Sequence, residues 1–111
     1  MLRSSKRLTT SLVKEVVNKG KIFHSPVFVL KALKNKDLSR FSISVSKKVA
    51  KNAVDRNKIR RRMSSILRTL YSSIYVHVDG VFLMKLQSKE MSFKELKNEV
   101  QSSFVKFGFI K

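Results

Sequence analysis

One long amphipathic segment constrains the fold of this chain more than any other feature. From residue 59 to residue 74 the apolar residues recur at spacings of four, three, one, three and four. This period is typical of a helix that buries one side and exposes the other. It predicts a helix from about Ala53 to Ser72. The apolar stripe extends just beyond this helix and consists of Ile59, Met63, Ile66, Leu67, Leu70 and Ile74, which we expect to be buried.

A short helix and two strands are predicted before this segment. Ser11–Lys19 gathers its leucine and valines on one side, and Gly20 supplies a stop for a helix there. Val27–Leu33 is rich in β-branched and aromatic residues, which favours a strand. Phe41–Ser46 alternates strictly between apolar and polar residues, the pattern of a strand with one buried face. Because the polar reversal Asn35–Asp37 lies between the two strands, we expect them to pair as a hairpin.

A third strand and a last helix are predicted after the long helix. Asp79-Gly80 predicts a turn, and the continuous apolar run Val81–Met84 suits a strand in a central position. Ser92 and Glu95 have the spacing of a capping box, which marks the first turn of a helix. The helix that follows is predicted to carry one apolar side made of Phe93, Leu96, Val100, Phe104 and Phe107.

The predicted order is therefore helix, strand, strand, helix, strand, helix. Amphipathic helices with a small mixed sheet indicate an α+β fold in which the helices pack on the sheet as a sandwich. The 111 residues contain no repeat, linker or low-complexity tract, so we expect a single domain over residues 1–111. No apolar run approaches the roughly 20 residues that a bilayer requires, so no membrane partner is expected. The chain has no cysteine, which excludes disulfides and cysteine-based zinc sites and fits a cytoplasmic location.

The charge balance narrows the class of partner. The chain has 25 Lys and Arg against 7 Asp and Glu, a formal net charge of +18. Such a surplus repels itself in a compact fold, and binding to a polyanion relieves that repulsion. Nucleic acid is the partner that this charge favours. A solubilising surface, or one that binds acidic lipids, is the alternative interpretation.

The basic residues are densest between Arg40 and Arg68. That stretch holds ten Lys or Arg and a single acid, Asp55. Because acidic partners at helical spacing are missing, the repulsion is uncompensated, which argues against a merely solvated face. The cluster lies where the strand Phe41–Ser46 ends and the long helix begins, and its members are Lys47, Lys48, Lys51, Arg56, Lys58, Arg60, Arg61 and Arg62.

A helical projection places these side chains relative to the apolar stripe. Arg56 and Arg60 lie beside the stripe, so we expect them at the edge of the sheet. Guanidinium groups offer forked donors to phosphate, and a helix N-terminus adds partial positive charge. The neighbouring flank of the helix is predicted to consist of Asn57, Arg61, Ser64 and Arg68.

Two adjacent motifs resemble a known family. Ser44–Val49 has the sequence Ser-Val-Ser-Lys-Lys-Val, and Arg56–Arg61 has the sequence Arg-Asn-Lys-Ile-Arg-Arg. Together they resemble the strand end and the helix start of the bacterial ribonuclease P protein family. The resemblance extends over about residues 6–107 and includes Arg7-Leu8, Asp79–Lys85 and the capping box Ser92–Glu95.

The resemblance implies a fold and a task. The fold has a left-handed β-α-β crossover between the strands around residues 41–46 and 81–86, against the usual right-handed rule. The protein binds the RNA subunit of ribonuclease P, and that RNA with its magnesium ions removes the 5′ leader from precursor tRNA. The residues implied to contact RNA are Lys47, Lys48, Lys51, Arg56, Asn57, Lys58, Arg60, Arg61 and Arg68.

The resemblance also implies a cleft that holds the leader, lined in the family by aromatic side chains. The matching positions here are Val13, Val17 and Lys31. Base stacking, typically worth ~1–3 kcal/mol per base, is therefore expected to be missing there, and contact with the leader to be mainly electrostatic. Ser64 and Lys85 stand where arginine is common in the family, and neither has the forked geometry of a guanidinium group.

Three other functions compete with this interpretation. A stand-alone nuclease needs paired acids or metal ligands, but the seven acids are scattered and His24 and His77 lie far apart. We therefore expect no catalytic residue, no metal ligand and no cofactor held by the side chains of this chain. A ribosomal or other RNA-scaffold protein is the main alternative, since charge, size and fold would look alike. A DNA-binding helix-turn-helix fits less well because the basic helix sits between strands.

Overall fold

The computed structural model describes residues 8–36 and 38–110. Arg7 of the family motif and Asp37, the last residue of the predicted reversal, lie outside the described residues. The described part contains three α-helices and a four-stranded sheet, which confirms the predicted α+β class. In chain order the elements are α1 (Thr10–Lys19), β1 (Lys21–His24), β2 (Phe28–Lys34), β3 (Arg40–Ser44), α2 (Ala53–Tyr71), β4 (Val78–Met84), a 3₁₀ helix (Leu86–Glu90) and α3 (Phe93–Phe107).

The sheet has the strand order β1-β2-β4-β3. β2 pairs antiparallel with β1 and β4, whereas β3 pairs parallel with β4. The expected hairpin between β2 and β3 is therefore wrong, because β4 lies between them. The reason is burial: residues 78–82 of β4 are all buried, so this strand needs a neighbour on each side. β3 ends in the exposed Ser44 and fits an edge position.

The turn predicted at Asp79-Gly80 is also wrong, since both residues lie inside β4. Asp79 pairs across the sheet with Leu33 of β2 and Arg40 of β3, and its carboxylate accepts from Arg40 Nε at 3.1 Å. Gly80 permits close packing, because a Cβ there would lie 2.8 Å from Cδ1 of Phe41. An Asp-Gly dipeptide usually favours a turn. In this strand its aspartate forms an ion pair and its glycine makes room for an aromatic ring.

Strand β1 was not predicted from the sequence pattern. Three of its four residues are exposed and only Phe23 is partly buried, so the segment shows no regular alternation of polarity. The strand exists because it pairs with β2, in a register that joins Lys21 to Ala32 and His24 to Val29. Such a strand depends on its neighbour, and its own sequence gives a weak signal.

The long helix connects two parallel neighbours in the sheet. β3, α2 and β4 follow one another along the chain, and they form the β-α-β unit that the family resemblance implies. The left hand of this crossover stays a prediction. α2 begins at Ala53 as predicted and ends at Tyr71, one residue before the predicted end.

The main core lies between one face of the sheet and helices α2 and α3. The predicted apolar stripe of α2 is confirmed, since five of its six residues are buried and Ile74 is partly buried. Aromatic rings fill the centre, with neighbouring ring centroids between 5.1 and 6.1 Å apart. These rings, each exposed by 1% or less, belong to Phe28, Phe41, Phe82 and Phe104.

Helix α3 begins at the predicted capping box. Ser92 Oγ accepts from the Glu95 backbone at 3.2 Å, and Glu95 Oε1 accepts from the Ser92 backbone at 3.2 Å. Hydrogen bonds with Ser92 lower the pKa of the Glu95 carboxyl. The bond with the Ser92 side chain has the larger effect, and the bond with the Ser92 backbone has the smaller one. The predicted apolar side is wrong for Phe93, which is 42% exposed because it lies at the outer start of the helix. The buried or partly buried members are Leu96, Val100, Phe104 and Phe107.

Helix α1 covers the opposite face of the sheet. Leu30 and Phe82 face the main core, so by strand alternation their neighbours Lys31 and Val81 face the other way. Val81 and Val16 of α1 are each 1% exposed, yet neither belongs to the main core cluster. They therefore form a small second contact between α1 and the sheet.

Gly20 explains how α1 approaches the sheet so closely. Its φ of −71° is open to any residue, so the helix stop does not depend on a left-handed conformation. Space is the constraint, because a Cβ at Gly20 would lie 2.5 Å from the carbonyl oxygen of Val16 and 3.0 Å from that of Ala32. Both contacts are to backbone, which cannot move away as a flexible side chain can.

Candidate nucleic-acid interface

The loop between β3 and α2 has an anchored backbone. Val49 and Ala50 are 5% and 2% exposed. Their backbone N–H groups donate to the carbonyl oxygen of Ser46 at 3.0 and 3.3 Å. Buried apolar side chains and backbone hydrogen bonds therefore hold the loop in place. The exposed side chains that leave it toward solvent are Lys47, Lys48 and Lys51.

Arg56 joins this loop to the first turns of α2. Its Nη1 donates to the carbonyl oxygens of Ala50 at 3.0 Å and Lys51 at 2.8 Å. The half-buried side chain lies where the helical projection placed it, beside the apolar stripe. Hydrogen bonds from a charged donor are stronger than neutral ones. Arg56 therefore positions the loop that carries Lys47, Lys48 and Lys51 against the helix. We call this segment between β3 and α2 the lysine loop.

The outer side of α2 continues the array of donors. Arg60 is half-buried, and its Nη2 donates to Asn57 Oδ1 at 3.0 Å. Because the Asn57 oxygen accepts this bond, the amide NH₂ group keeps its donors for another partner. The exposed members of this side are Asn57, Lys58, Arg61 and, two turns farther along, Arg68.

The flank predicted along α2 is wrong at Ser64. This serine is 3% exposed, so it lies inside the fold, whereas Asn57, Arg61 and Arg68 face solvent. A projection at a fixed angle per residue gives only the direction of a side chain. Which directions are buried depends on the elements that pack nearby.

Arg62 is half-buried, and its guanidinium group is held by the segment that leads into α3. Its Nη1 donates to the carbonyl oxygen of Met91, in the segment just before α3. The distance is 3.2 Å. We therefore define the basic surface without it, as Lys47, Lys48, Lys51, Arg56, Asn57, Lys58, Arg60, Arg61 and Arg68.

The N-terminus of α2 lies at the junction of the loop and the helix. Asn52 is the N-cap residue, and within the described residues its side chain makes no capping hydrogen bond. The first backbone N–H groups of a helix have no partner inside the helix, and its dipole favours an anion there. The basic surface therefore combines side-chain cations with the positive end of a helix.

A second surface is the face of the sheet that carries α1. The strand register places two rows of side chains across this face. One row is Ile22, Lys31, Val81 and Ser42. The next row is His24, Val29, Leu83 and Ser44. The second row ends at the last residue of β3, immediately before the lysine loop, so this sheet face and the basic surface are continuous.

The three residues predicted for a leader cleft come together on this face. Lys31 Nζ donates to the carbonyl oxygen of Val17 at 3.2 Å. Val13 lies one turn earlier on the same side of α1, and all three side chains are half-buried. The ammonium group has three donors, so it can bind this helix-end carbonyl and still meet an anion.

The buried acid of the described structure is Asp79, which is 4% exposed. Its Oδ1 accepts from Asn35 Nδ2 at 2.7 Å and from Arg40 Nε at 3.1 Å. Among the described residues, no group of three or more His, Cys, Asp or Glu is placed to hold a metal ion. None of the described helices combines the length and apolarity that a membrane span requires.

Two parts of these surfaces were missed by the sequence analysis. β1 contributes Ile22 and His24 to the sheet face, and Val54, which is 76% exposed, adds an apolar group to the first turn of α2. The strict alternation of Phe41–Ser46, the segment that contains β3, was the signal for another part of the sheet face. It predicted that Ser42 and Ser44 would lie opposite the core, which is where the register places them.

Comparison with known proteins identifies the family. The model of the family described as Ribonuclease P matches residues 2–108 of this chain. The ribonuclease P protein component of Clostridioides difficile is 37% identical over 91 residues, which cover 80% of this chain and 79% of that protein. The corresponding protein of Clostridium novyi is 35% identical over 98 residues, 86% of each chain.

Solved structures have the same architecture. The RNase P protein of Staphylococcus aureus matches with a TM-score of 0.85 at 26% identity, over 96% of this chain and 98% of that chain. The RNase P protein of Thermotoga maritima, at 24% identity, shares the fold with a TM-score of 0.81 over 90% of this chain and 96% of that chain. Because the family model spans nearly the whole sequence and the relatives match over most of their lengths, this chain belongs to the ribonuclease P protein family.

Proposed function

We propose that this chain, as the protein subunit of ribonuclease P, binds the catalytic RNA through its basic surface. The sheet face beside α1 then receives the 5′ leader of precursor tRNA. The observation that carries the proposal is the junction at Arg56, whose two hydrogen bonds place the lysine loop beside the helix cations. The continuity of this junction with the sheet face supports a single path for RNA across both surfaces.

The chemistry of the basic surface suits a folded RNA backbone. Arg60 and Arg61 offer planar groups with several donors each, which match phosphate oxygens. The loop lysines offer point charges that tolerate many backbone geometries. Neutralising phosphates releases condensed counterions, so affinity for RNA should depend strongly on salt.

The chemistry of the sheet face suits a single strand without a required sequence. Val13 and Val17 offer apolar contact but no π-face, and Lys31 offers a point charge for any backbone phosphate. Ser42 and Ser44 add small hydroxyl groups on the same face. Leader binding is therefore mainly electrostatic and nearly indifferent to base identity.

We assign the hydrolysis to the RNA subunit and its magnesium ions. General acid–base or metal catalysis needs acids placed together. The seven acids of this chain are scattered along the sequence, and Asp79 is engaged by Arg40 and Asn35. The protein alone should leave precursor tRNA intact, and the complex should act in the cytoplasm. Family membership favours this role over that of a ribosomal or scaffold protein.

Cleavage of precursor tRNA at low magnesium is expected to rise when the protein is added to a matched bacterial ribonuclease P RNA. Cationic side chains replace counterions that otherwise screen repulsion between the two RNAs, so a stimulation on the order of tenfold or more is expected. The measurement is the rate of 5′-end cleavage as a function of magnesium concentration. Polylysine of equal charge is the control, and equal stimulation by polylysine, or none by the protein, would contradict the assignment.

Val17→Phe is expected to tighten binding of precursor tRNA relative to mature tRNA. A new ring beside Lys31 gives a leader base a surface on which to stack, worth up to ~1–3 kcal/mol. Lys31→Ala should weaken precursor binding at low salt, and the loss should shrink as salt rises. Both variants are measured as holoenzymes, with precursor and mature tRNA side by side.

The control for Lys31 separates charge from structure. Lys31 also binds the carbonyl oxygen of Val17, so its truncation removes a hydrogen bond between β2 and α1. Lys31→Gln keeps a donor but removes the charge. It should reduce precursor affinity as Lys31→Ala does if charge is what the leader meets. An equal reduction for precursor and mature tRNA would place Lys31 outside the leader path.

A further inference from the structure

A pocket with a volume of about 350 Å³ lies where the end of α1, the start of β1, the end of β2 and the end of α3 meet. Its floor is apolar, and its rim carries cations from three elements. Ligand pockets in proteins typically have volumes of ~300–1,000 Å³. The residues that line it are Lys19, Lys21, Ala32, Leu33, Lys34, Val78, Phe107 and Phe109.

Register places this pocket far from the basic surface. It adjoins Val78 at the first residue of β4, which pairs with Lys34. The lysine loop leaves the sheet after Ser44, which pairs with Leu83 near the other end of β4. Five residues of strand separate the two points, a distance of about 17 Å at ~3.3 Å per residue. The pocket is therefore separate from the basic surface, and none of the residues in the two rows of the sheet face lines it.

The aromatic wall of the pocket is fixed in orientation. The rings of Phe107 and Phe109 stack with centroids 4.9 Å apart and planes 11° from parallel. Phe23 of β1 supports Phe107 from a centroid distance of 6.2 Å. Phe109 is 3% exposed, whereas Phe107 is only partly buried, so Phe107 is the ring that a ligand can reach.

The rim supplies positive charge without an acidic partner among the described residues that line the pocket. Lys19, Lys21 and Lys34 are all exposed, and they come from α1, β1 and β2. Separate point charges spread around an apolar floor suit successive backbone phosphates, because an ammonium group tolerates many approach directions. A single terminal phosphate would be better served by forked guanidinium donors or converging backbone N–H groups.

We propose that this pocket holds an unpaired nucleotide of an RNA strand, with its base against Phe107 and the adjoining phosphates at Lys21 and Lys34. Aromatic platforms beside cationic tracks are how proteins hold single strands without reading their sequence. The site lies beyond the proposed function and does not rest on it, since neither Val17 nor Lys31 lines the pocket.

The test is an NMR titration of the full chain with hexauridylate, following the ring protons of Phe107 and the amides of Lys21 and Lys34. Saturable shifts at these three residues are expected. Phe107→Leu keeps an apolar filling but removes the π-face, and it should weaken the local affinity about fivefold or more. The double variant Lys21→Gln, Lys34→Gln should reduce the log–log salt slope of these shifts by about 1.4, which corresponds to two phosphates of a single strand.

Three controls decide whether the pocket acts as proposed. Lys94→Gln with Lys97→Gln removes equal charge from α3, outside the pocket and both surfaces, and should leave the pocket shifts unchanged. An abasic hexamer should move the lysine amides but not the Phe107 ring, and an equal ring shift would refute base contact. Uridine monophosphate binding as tightly as hexauridylate would show that the occupant is a free nucleotide. Absence of any pocket shift with hexauridylate would also overturn the proposal.

Discussion

Replacing Lys58, Arg60 and Arg61 together by alanine is expected to lower affinity for ribonuclease P RNA by about 100- to 1,000-fold at 0.1 M salt. Each phosphate that a basic protein no longer neutralises reduces the log–log salt slope by about 0.7–0.9, so three such phosphates remove about 2–3 from the slope. The lines for the variant and the parent chain should meet near 1 M salt, where electrostatic binding vanishes. Alanine has high helix propensity, so α2 should remain folded.

The measurement is the dissociation constant for the RNA subunit at several salt concentrations. Arg56 is left in place because it holds the lysine loop through Ala50 and Lys51, and its removal would mix positioning with binding. The matched control removes the same charge from α3, by Lys94→Ala, Lys97→Ala and Lys106→Ala. An unchanged slope in the α2 variant, or an equal change in the α3 variant, would mean that the basic surface of α2 is merely solvated.

Asp79→Ala is expected to lower the free energy of unfolding by about 3 kcal/mol, because it leaves a partly buried guanidinium without its carboxylate. The Arg40 side chain is 22% exposed and that of Asp79 is 6% exposed, which places the effect at the low end for a broken buried pair. For a domain of this size the melting temperature should fall by about 12–24 °C. The pair joins β3 to β4, so its removal should loosen the edge strand that leads into the lysine loop.

Two further variants identify the cause of that destabilisation. Asp79→Asn keeps the shape and one acceptor oxygen but removes the charge, so it should destabilise the protein less than alanine does. Arg40→Ala combined with Asp79→Ala should cost less than the two single effects added together, since the double variant leaves no unpaired charge. A fall of less than about 4 °C in Asp79→Ala, which corresponds to at most about 1 kcal/mol, would contradict a stabilising role for the pair.

Local periodicity was enough to predict the elements with strong patterns. The apolar stripe of α2 follows from side-chain spacing alone, and five of its six residues are buried. The Ser92–Glu95 capping box is a contact between residues three apart, so its sequence spacing determines it. The density of cations around Arg56–Arg61 is likewise a property of the chain itself. These features depend on neighbours in sequence, which is why the sequence was sufficient.

Contacts between distant residues decided what the sequence pattern missed. β2 and β3 follow one another along the chain, but β4, six of whose seven residues are buried, takes the central position between them. Asp79-Gly80 lies in a strand because Arg40 and Phe41 are brought against it. β1 exists through its pairing with β2, despite its weak pattern.

The features of the candidate site also fall into two groups, those that follow from the sequence and those that depend on the tertiary structure. The sequence by itself determined which residues carry positive charge, which side of α2 is apolar and which family the chain resembles. Only the tertiary structure decided that Ser64 is buried, that Arg62 is held by Met91 and that Lys31 meets the end of α1. It also decided that Phe107 and three lysines from separate elements share one pocket. The physical reason is that residue spacing determines on which side of a helix or strand a side chain lies. Whether that side is buried, and which groups it contacts, depends on elements that are distant in sequence and pack against it.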